Sequence, residues 1–298
     1  MNGPAHTRGF TLVELVLVIA LAGVVLVMIG SVLSHPLQGF VDQSRRGALV
    51  DQATGALDRM IRDVRLAVPH SLRVSADGQA VELLLIHSAA RYRSNRQDSE
   101  GLRFSGEAAG TCASTTVGGR CNEVQVLDPA FDPAGARWMV LYNIGAESGG
   151  VPVAGSNLWA PADPGVITPT GSTFSLIPGA PGAESLIAVG NLPAGGFRFA
   201  YESPQHRLYL ASAVVGFRCQ HGQLVRYSYN RLLAALPADP PIDSNPEPMA
   251  RHVDCGQTSF SYQAGSTQRS GLLSLVLRIT LEGESFQLVQ QVHVVNAP

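Results

Sequence analysis

Three stretches carry residue types whose spacing could do chemistry. In "RHVDCG" (251–256) His252 and Asp254 stand beside Cys255, a set from which a thiolate nucleophile and its base can be assembled. In "DPAFDPAG" (128–135) and "DPPIDSNPEP" (239–248) spaced carboxylates offer hard oxygen ligands for calcium. In "RGFTLVELVLVIALAGVVLVMIG" (8–30) a single carboxylate, Glu14, sits near the start of a run with the polarity of lipid. There it costs about 2.5–3.5 kcal/mol unless something compensates it.

The first two lose ground on closer reading. A Cys255 held in a disulfide cannot act as a nucleophile, and the carboxylate runs lack EF-hand spacing and are rich in proline, which reads as turns. All 21 basic residues are arginine. The absence of lysine removes a P-loop, a Schiff-base lysine and a Ser-Lys nucleophile together. No HExxH, no G-x-S-x-G elbow and no G-x-G-x-x-G between strand and helix is present, so the chain is expected to be no enzyme and to need no cofactor or metal. With 21 basic against 23 acidic residues scattered along the chain, there is no electrostatic footprint for nucleic acid. Trp138 and Trp159 read as core or interface anchors.

Four cysteines, Cys112, Cys121, Cys219 and Cys255, form no CxxC and have no histidine at zinc-site spacing. An even, widely spaced set in an exported chain favours disulfides, with three connectivities open. The pairing expected is Cys112 with Cys121 and Cys219 with Cys255, because the first two are close in sequence and flanked by turn residues. Four reduced, buried thiols are the alternative.

The elements that position these residues follow from periodicity. Leu15 to Leu33 is free of charge, and at 1.5 Å per residue such a helix rises about 28 Å, close to the hydrocarbon thickness of a bilayer. No A-x-A-like cleavage site follows it, which favours a retained helix over a removed signal peptide. Downstream, Val50, Ala53, Leu57, Met60, Ile61, Val64 and Ala67 or Val68 recur at steps of three and four, with Asp51, Asp58, Arg59, Arg62, Asp63 and Arg65 opposite. This predicts an amphipathic helix ending at Pro69, with Asp58 and Arg62 spaced for an i,i+4 contact. Pro36 and Gly39 predict a kink between the two helical stretches. Beyond residue 70 the period becomes two. Strands are expected at 80–88, 122–127, 137–143, 184–189, 196–201, 207–212, 214–220, 223–230, 258–263, 272–281 and 285–295, the last two as a hairpin. The Gly/Pro-rich stretches 144–182 and 233–250 read as surface loops. The architecture expected is α+β: a long, bent N-terminal helix, its first half transmembrane, packed on an antiparallel sheet.

"RGFTLVE" followed at once by an uninterrupted apolar helix resembles the class III signal of type IV pilins and type II secretion pseudopilins. The resemblance implies a leader over 1–9, cleavage between Gly9 and Phe10, N-methylation of Phe10, and an assembly role for Glu14. It implies a filament-core or membrane helix over 10–35, an amphipathic helix over 36–69 and a periplasmic, pilin-like β-rich domain over 70–298. The partners implied are a prepilin peptidase/methyltransferase, other minor and major pilins and an inner-membrane assembly platform. The segments "HPLQGFVDQSRRGALVDQATGALDRMIRDVRLAVPHSLRV", "MARHVDCGQTSFSYQ" and "LVQQVHVVNAP" resemble the MshO family of MSHA pilus biogenesis proteins, which are minor pilins. That likeness is thin between about 90 and 190. The helix "ALDRMIRDVR" is also similar to the J-type minor pseudopilin of type II secretion.

Overall fold

The computed structural model describes residues 9–95, 102–105, 120–179, 182–266 and 269–296, and their side chains apart from those of 31–42. One helix, α1, runs Leu12–Arg65 over 54 residues. The two helical stretches expected on either side of Pro36 and Gly39 belong to this single helix, which continues through both residues. A proline removes one backbone bond from the ladder, and that loss does not end the helix here. The chain divides into two compact units, the first reaching Asp51 and the second Gln52–Pro298.

In the second unit the amphipathic reading of α1 holds: Ala53, Leu57, Met60, Ile61 and Val64 are buried, while Asp58, Arg59 and Arg62 are exposed. The charges do not pair along the helix as expected. Asp58 and Arg62 have no ion-pair partner among the described residues, and the pairs that form reach the sheet instead. Arg226 Nε donates to Asp63 Oδ2 at 2.8 Å, and Arg59 Nη2 lies 3.1 Å from Glu247 Oε2. The helix also stops at Arg65, short of Pro69. Proline biases the residue before it toward extended backbone. Here Leu66–Val68 add to the sheet: Val68 N donates to Leu84 O at 2.9 Å and Ile86 N to Leu66 O at 2.8 Å.

The strands of three or more residues are β1 (Ala80–Arg93), β2 (Glu123–Val126), β3 (Trp138–Val140), β4 (Thr173–Ile177), β5 (Ser185–Gly190), β6 (Arg207–Gln220), β7 (Gln223–Tyr229), β8 (Glu247–Arg251), β9 (Ser259–Gln263), β10 (Gly271–Leu281) and β11 (Glu284–Val294). A nine-stranded sheet has the order β8-β7-β6-β1-β2-β5-β4, with the two-residue strand Arg73–Val74 on β1 and with β3 on β6. A three-stranded sheet has the order β9-β10-β11, and all the named pairings are antiparallel. The hairpin of β10 and β11 turns at Glu282 and Gly283, both at positive φ. The strands expected at 207–212 and 214–220 are one strand, which absorbs its interruption as register shifts between Leu210 and Ala213. The strand expected at 196–201 shrinks to Phe197–Arg198.

The stretches read as surface loops are partly core. Residues 144–182 contain β4 and bury Leu158, Trp159, Val166 and Ile167 in one cluster with Trp138 and Tyr227. Residues 233–250 run into β8, an edge strand that tolerates Pro248 because its outer side has no ladder to feed. A second cluster, including Tyr92, Phe104, Val124, Ile187 and Leu208, fills the far end of the same sheet.

Candidate processing and assembly site

Gly9 and Phe10 lie outside regular structure, and α1 begins immediately after Thr11. The Thr11 carbonyl accepts from Glu14 N and Leu15 N, each at 3.1 Å, and its Oγ1 accepts from Glu14 N at 3.3 Å. Thr11 is therefore the N-cap, and "TLVE" has the spacing of a capping box. The sequence reading missed this, although the T-x-x-E signal was available. The box is only half formed: the Glu14 carboxylate is exposed and has no partner among the described residues. It lies in the first turn, where the helix dipole favours negative charge.

Nothing among the described residues requires glycine at position 9. A Cβ there would meet no atom within 4 Å, and its φ is not left-handed. Phe10 is 80% exposed, and every residue from Leu12 to Gly30 is exposed as well. That segment is long and apolar enough to cross a membrane. The Gly9–Phe10 step, the Glu14 carboxylate and the apolar segment from Leu12 to Gly30 are thus contiguous and all exposed among the described residues.

The other chemical candidates resolve into structure. Cys255 is bonded to Cys219 with Cα atoms 5.5 Å apart, so no thiolate stands beside His252. Asp254 Oδ1 accepts from Gly256 N at 3.1 Å, closing a turn. Cys121 is also disulfide-bonded, while Cys112 lies outside the described residues, as does the leader before Gly9. Asp128 and Asp132 each accept, at 2.9 Å, the amide two residues on (Ala130 and Ala134), the geometry of Asx turns. Asp243 pairs with Arg231 at 3.0 Å. A cleft of about 800 Å³ lined in part by His70, Arg73, Asp77 and Arg218 has much of its charge already paired, Arg218 with Asp77 at 3.5 Å and Arg73 with Glu82.

Glu82 is the most enclosed charge among the described residues and was not singled out from the sequence. Arg73, Glu82, Gly216 and Tyr227 stand opposite one another across four strands. Gly216 leaves the space through which the Tyr227 side chain crosses to the carboxylate, since a Cβ there would collide with the tyrosine ring. Glu82 Oε2 accepts from Arg73 Nη2 at 2.7 Å and Nε at 3.2 Å, and Oε1 accepts from the Tyr227 and Tyr229 hydroxyls at 2.9 and 3.1 Å. Burial first, and then the Glu82 charge, push both tyrosines above their ordinary range, which keeps them as neutral donors. A carboxylate bonded four times has no lone pair left for a proton from a substrate. Arg73 also donates to the carbonyls of Leu233 (2.9 Å) and Ala234 (3.1 Å), and its guanidinium stacks 3.7 Å from the Trp159 ring centroid. The cluster holds the 233–235 segment and Trp159 in place.

Among known families, the prokaryotic N-terminal methylation motif matches residues 5–30. No curated protein and no solved structure matches the chain. The matched residues take in Gly9, Phe10, Thr11 and Glu14 and end with the apolar segment, so the chain carries a type IV pilin-like prepilin signal. Such a signal implies processing by a prepilin peptidase, and with the apolar helix it indicates membrane anchoring.

Proposed function

We propose that this chain is a non-enzymatic minor pilin that takes part in initiating or capping an MSHA-like type IV pilus. The observation that carries the reading is the matched motif on the first stretch of α1, exposed at every residue from Leu12 to Gly30, with a carboxylate unpaired among the described residues at its start. The peptidase cuts between Gly9 and Phe10 and N-methylates Phe10, and the new amine carries a positive charge. When helices bundle, that amine faces Glu14 of a neighbour, and attraction in a low-dielectric core repays the desolvation of both charges only when register is correct. Gly9, Phe10 and Glu14 thus act in processing and assembly.

In this reading the helix spans the inner membrane once, and the unit Gln52–Pro298 stands in the periplasm, an oxidising compartment that suits its disulfides. Its partners are other minor and major pilins and the inner-membrane assembly platform, with no nucleic acid and no cofactor. The bulk of the second unit favours a rare subunit over one stacked in thousands, and the MshO-like segments favour the MSHA system. The similarity of "ALDRMIRDVR" to the J-type minor pseudopilin supports a second reading, in type II secretion.

Mass spectrometry of the membrane-bound form is expected to show N-methyl-Phe10 at the mature terminus. An intact Met1 there would overturn the prepilin reading. Flanking genes for the major pilin, assembly ATPase and platform decide between the two systems.

A further inference from the structure

We propose that Thr11 is a positioning residue for leader removal: its hydroxyl fixes where α1 begins and so keeps the Gly9–Phe10 bond outside the helix. The inference rests on the prepilin reading above and adds a residue and a conformational requirement to it. A peptide bond is hydrolysed when water adds to its carbonyl carbon, leaving here a Gly9 carboxylate and a Phe10 amine. A peptidase cleft must reach that carbonyl and bond the backbone around it. Inside a helix the Gly9 carbonyl would accept from Val13 N, four residues on, and would be closed to the cleft.

The observed backbone avoids this by two residues. Thr11 supplies the first intrahelical acceptor, to Leu15 N, and its hydroxyl takes up Glu14 N, one of the orphan donors of the first turn. A cap stabilises the start that it serves, so the position of the cap favours the position of the start. The sequence holds a competing cap one turn earlier, Thr7. A helix capped there would begin at Arg8 and enclose the Gly9–Phe10 bond. The apolar run offers no preference between the two starts, and the Thr11 hydroxyl selects the later one.

Capping through Thr11 also leaves the Glu14 side chain free. In a complete capping box the carboxylate would reach back to the Thr11 amide, whereas here only the threonine half is made. One helical turn therefore divides its labour: the hydroxyl of Thr11 prepares the cut, and the carboxylate of Glu14 stays available for the amine that the cut creates.

The test is the initial rate of cleavage of the full-length chain in detergent by a prepilin peptidase. Replacing an N-cap by alanine weakens the helix start by an amount equivalent to about fivefold, so Thr11→Ala is expected to be cut about fivefold more slowly. Thr11→Ser and Thr11→Asn, which also cap, are expected to keep most of the rate. Thr7→Ala in the Thr11→Ala background is expected to restore it by removing the competing start. An unchanged rate for Thr11→Ala overturns the proposal. So does a Thr11→Asn chain as slow as Thr11→Ala, or a double variant that stays slow, since either result means that the peptidase reads the threonine side chain directly. A wild-type chain left uncut between Gly9 and Phe10 is a different result, which removes the prepilin reading itself.

Discussion

From Leu12 to Gly30 every residue of α1 is exposed although almost all are apolar, whereas from Gln52 to Arg65 the same helix buries Ala53, Leu57, Met60, Ile61 and Val64 and leaves most of its charges outside. The two carboxylates Glu14 and Glu82 differ in the same way. Glu82 is fully buried and bonded four times within the chain, while Glu14 is exposed and its carboxylate bonded to nothing among the described residues. The second unit completes its own contacts. The first presents an apolar surface and a charge that no described residue covers or pairs; in the proposed function their complements are lipid and other subunits, and an error there is expected to tell on assembly and not on folding.

The comparison breaks most visibly at its two charges. Glu82→Ala would leave the Arg73 guanidinium without its counter-ion beneath Trp159 and two tyrosine hydroxyls without an acceptor. Its expected cost to the stability of the second unit is about 3–5 kcal/mol in denaturant unfolding. Glu14→Ala is expected to leave that unfolding curve unchanged and instead to abolish entry of the processed protein into filaments or tip complexes. Unchanged incorporation would end the assembly role of Glu14.

Apolar truncations sharpen the same contrast. Leu57→Ala, at a fully buried position, is expected to cost about 2–5 kcal/mol, and Leu17→Ala, exposed in the first half of the helix, close to nothing in the same assay. Equal costs would mean that the first half is packed by the chain after all.

A smaller effect concerns pH. Burial lowers the His70 pKa below its ordinary value of 6.5, against a weaker opposing effect from the Asn296 hydrogen bond. Below about pH 6.5 the unfolded chain therefore binds a proton that the folded chain refuses, and stability falls as the pH falls through that range. His70→Asn, which tolerates the positive φ of 55° at this position, is expected to flatten that part of the pH–stability curve of the second unit. Entry of the first unit into assemblies is expected to be indifferent to the change.

Much of this was legible because it is local. The apolar run, the prepilin motif and the three-to-four spacing from Ala53 to Val64 are patterns a chain cannot hide, and alternation located most of the long strands. What escaped depended on distant partners. The β4 strand, "TFSLI", is short and set in a Gly/Pro-rich stretch, and it forms because β5 offers a free edge. The β8 strand carries a proline that only an edge position allows. Trp159 sits in apparent loop sequence yet is buried because Arg73 covers its ring and Ser71 O accepts from its indole nitrogen at 3.0 Å. The helix ends before Pro69 because β1 competes for the residues from Leu66 to Val68. The Thr11 cap is the one omission that a local pattern could have supplied.

The bond between Cys219 and Cys255 also has a mechanical meaning. It joins the end of β6 to the segment after β8, across a sequence separation of 36 that contains β7 and β8. Gln79 bridges the same junction, donating its side-chain amide to Cys255 O at 2.7 Å and accepting Cys219 N at its own carbonyl at 3.0 Å. A chain pulled from its two ends carries load through the sulfurs and leaves the enclosed loop slack. At about 3.3–3.6 Å per residue, that removes roughly 120 Å from the length the protein can pay out when stretched. A subunit held by its N-terminal helix while its far side is under tension would yield less, and reduction of this one bond would lengthen its reach before any covalent link along the backbone were strained.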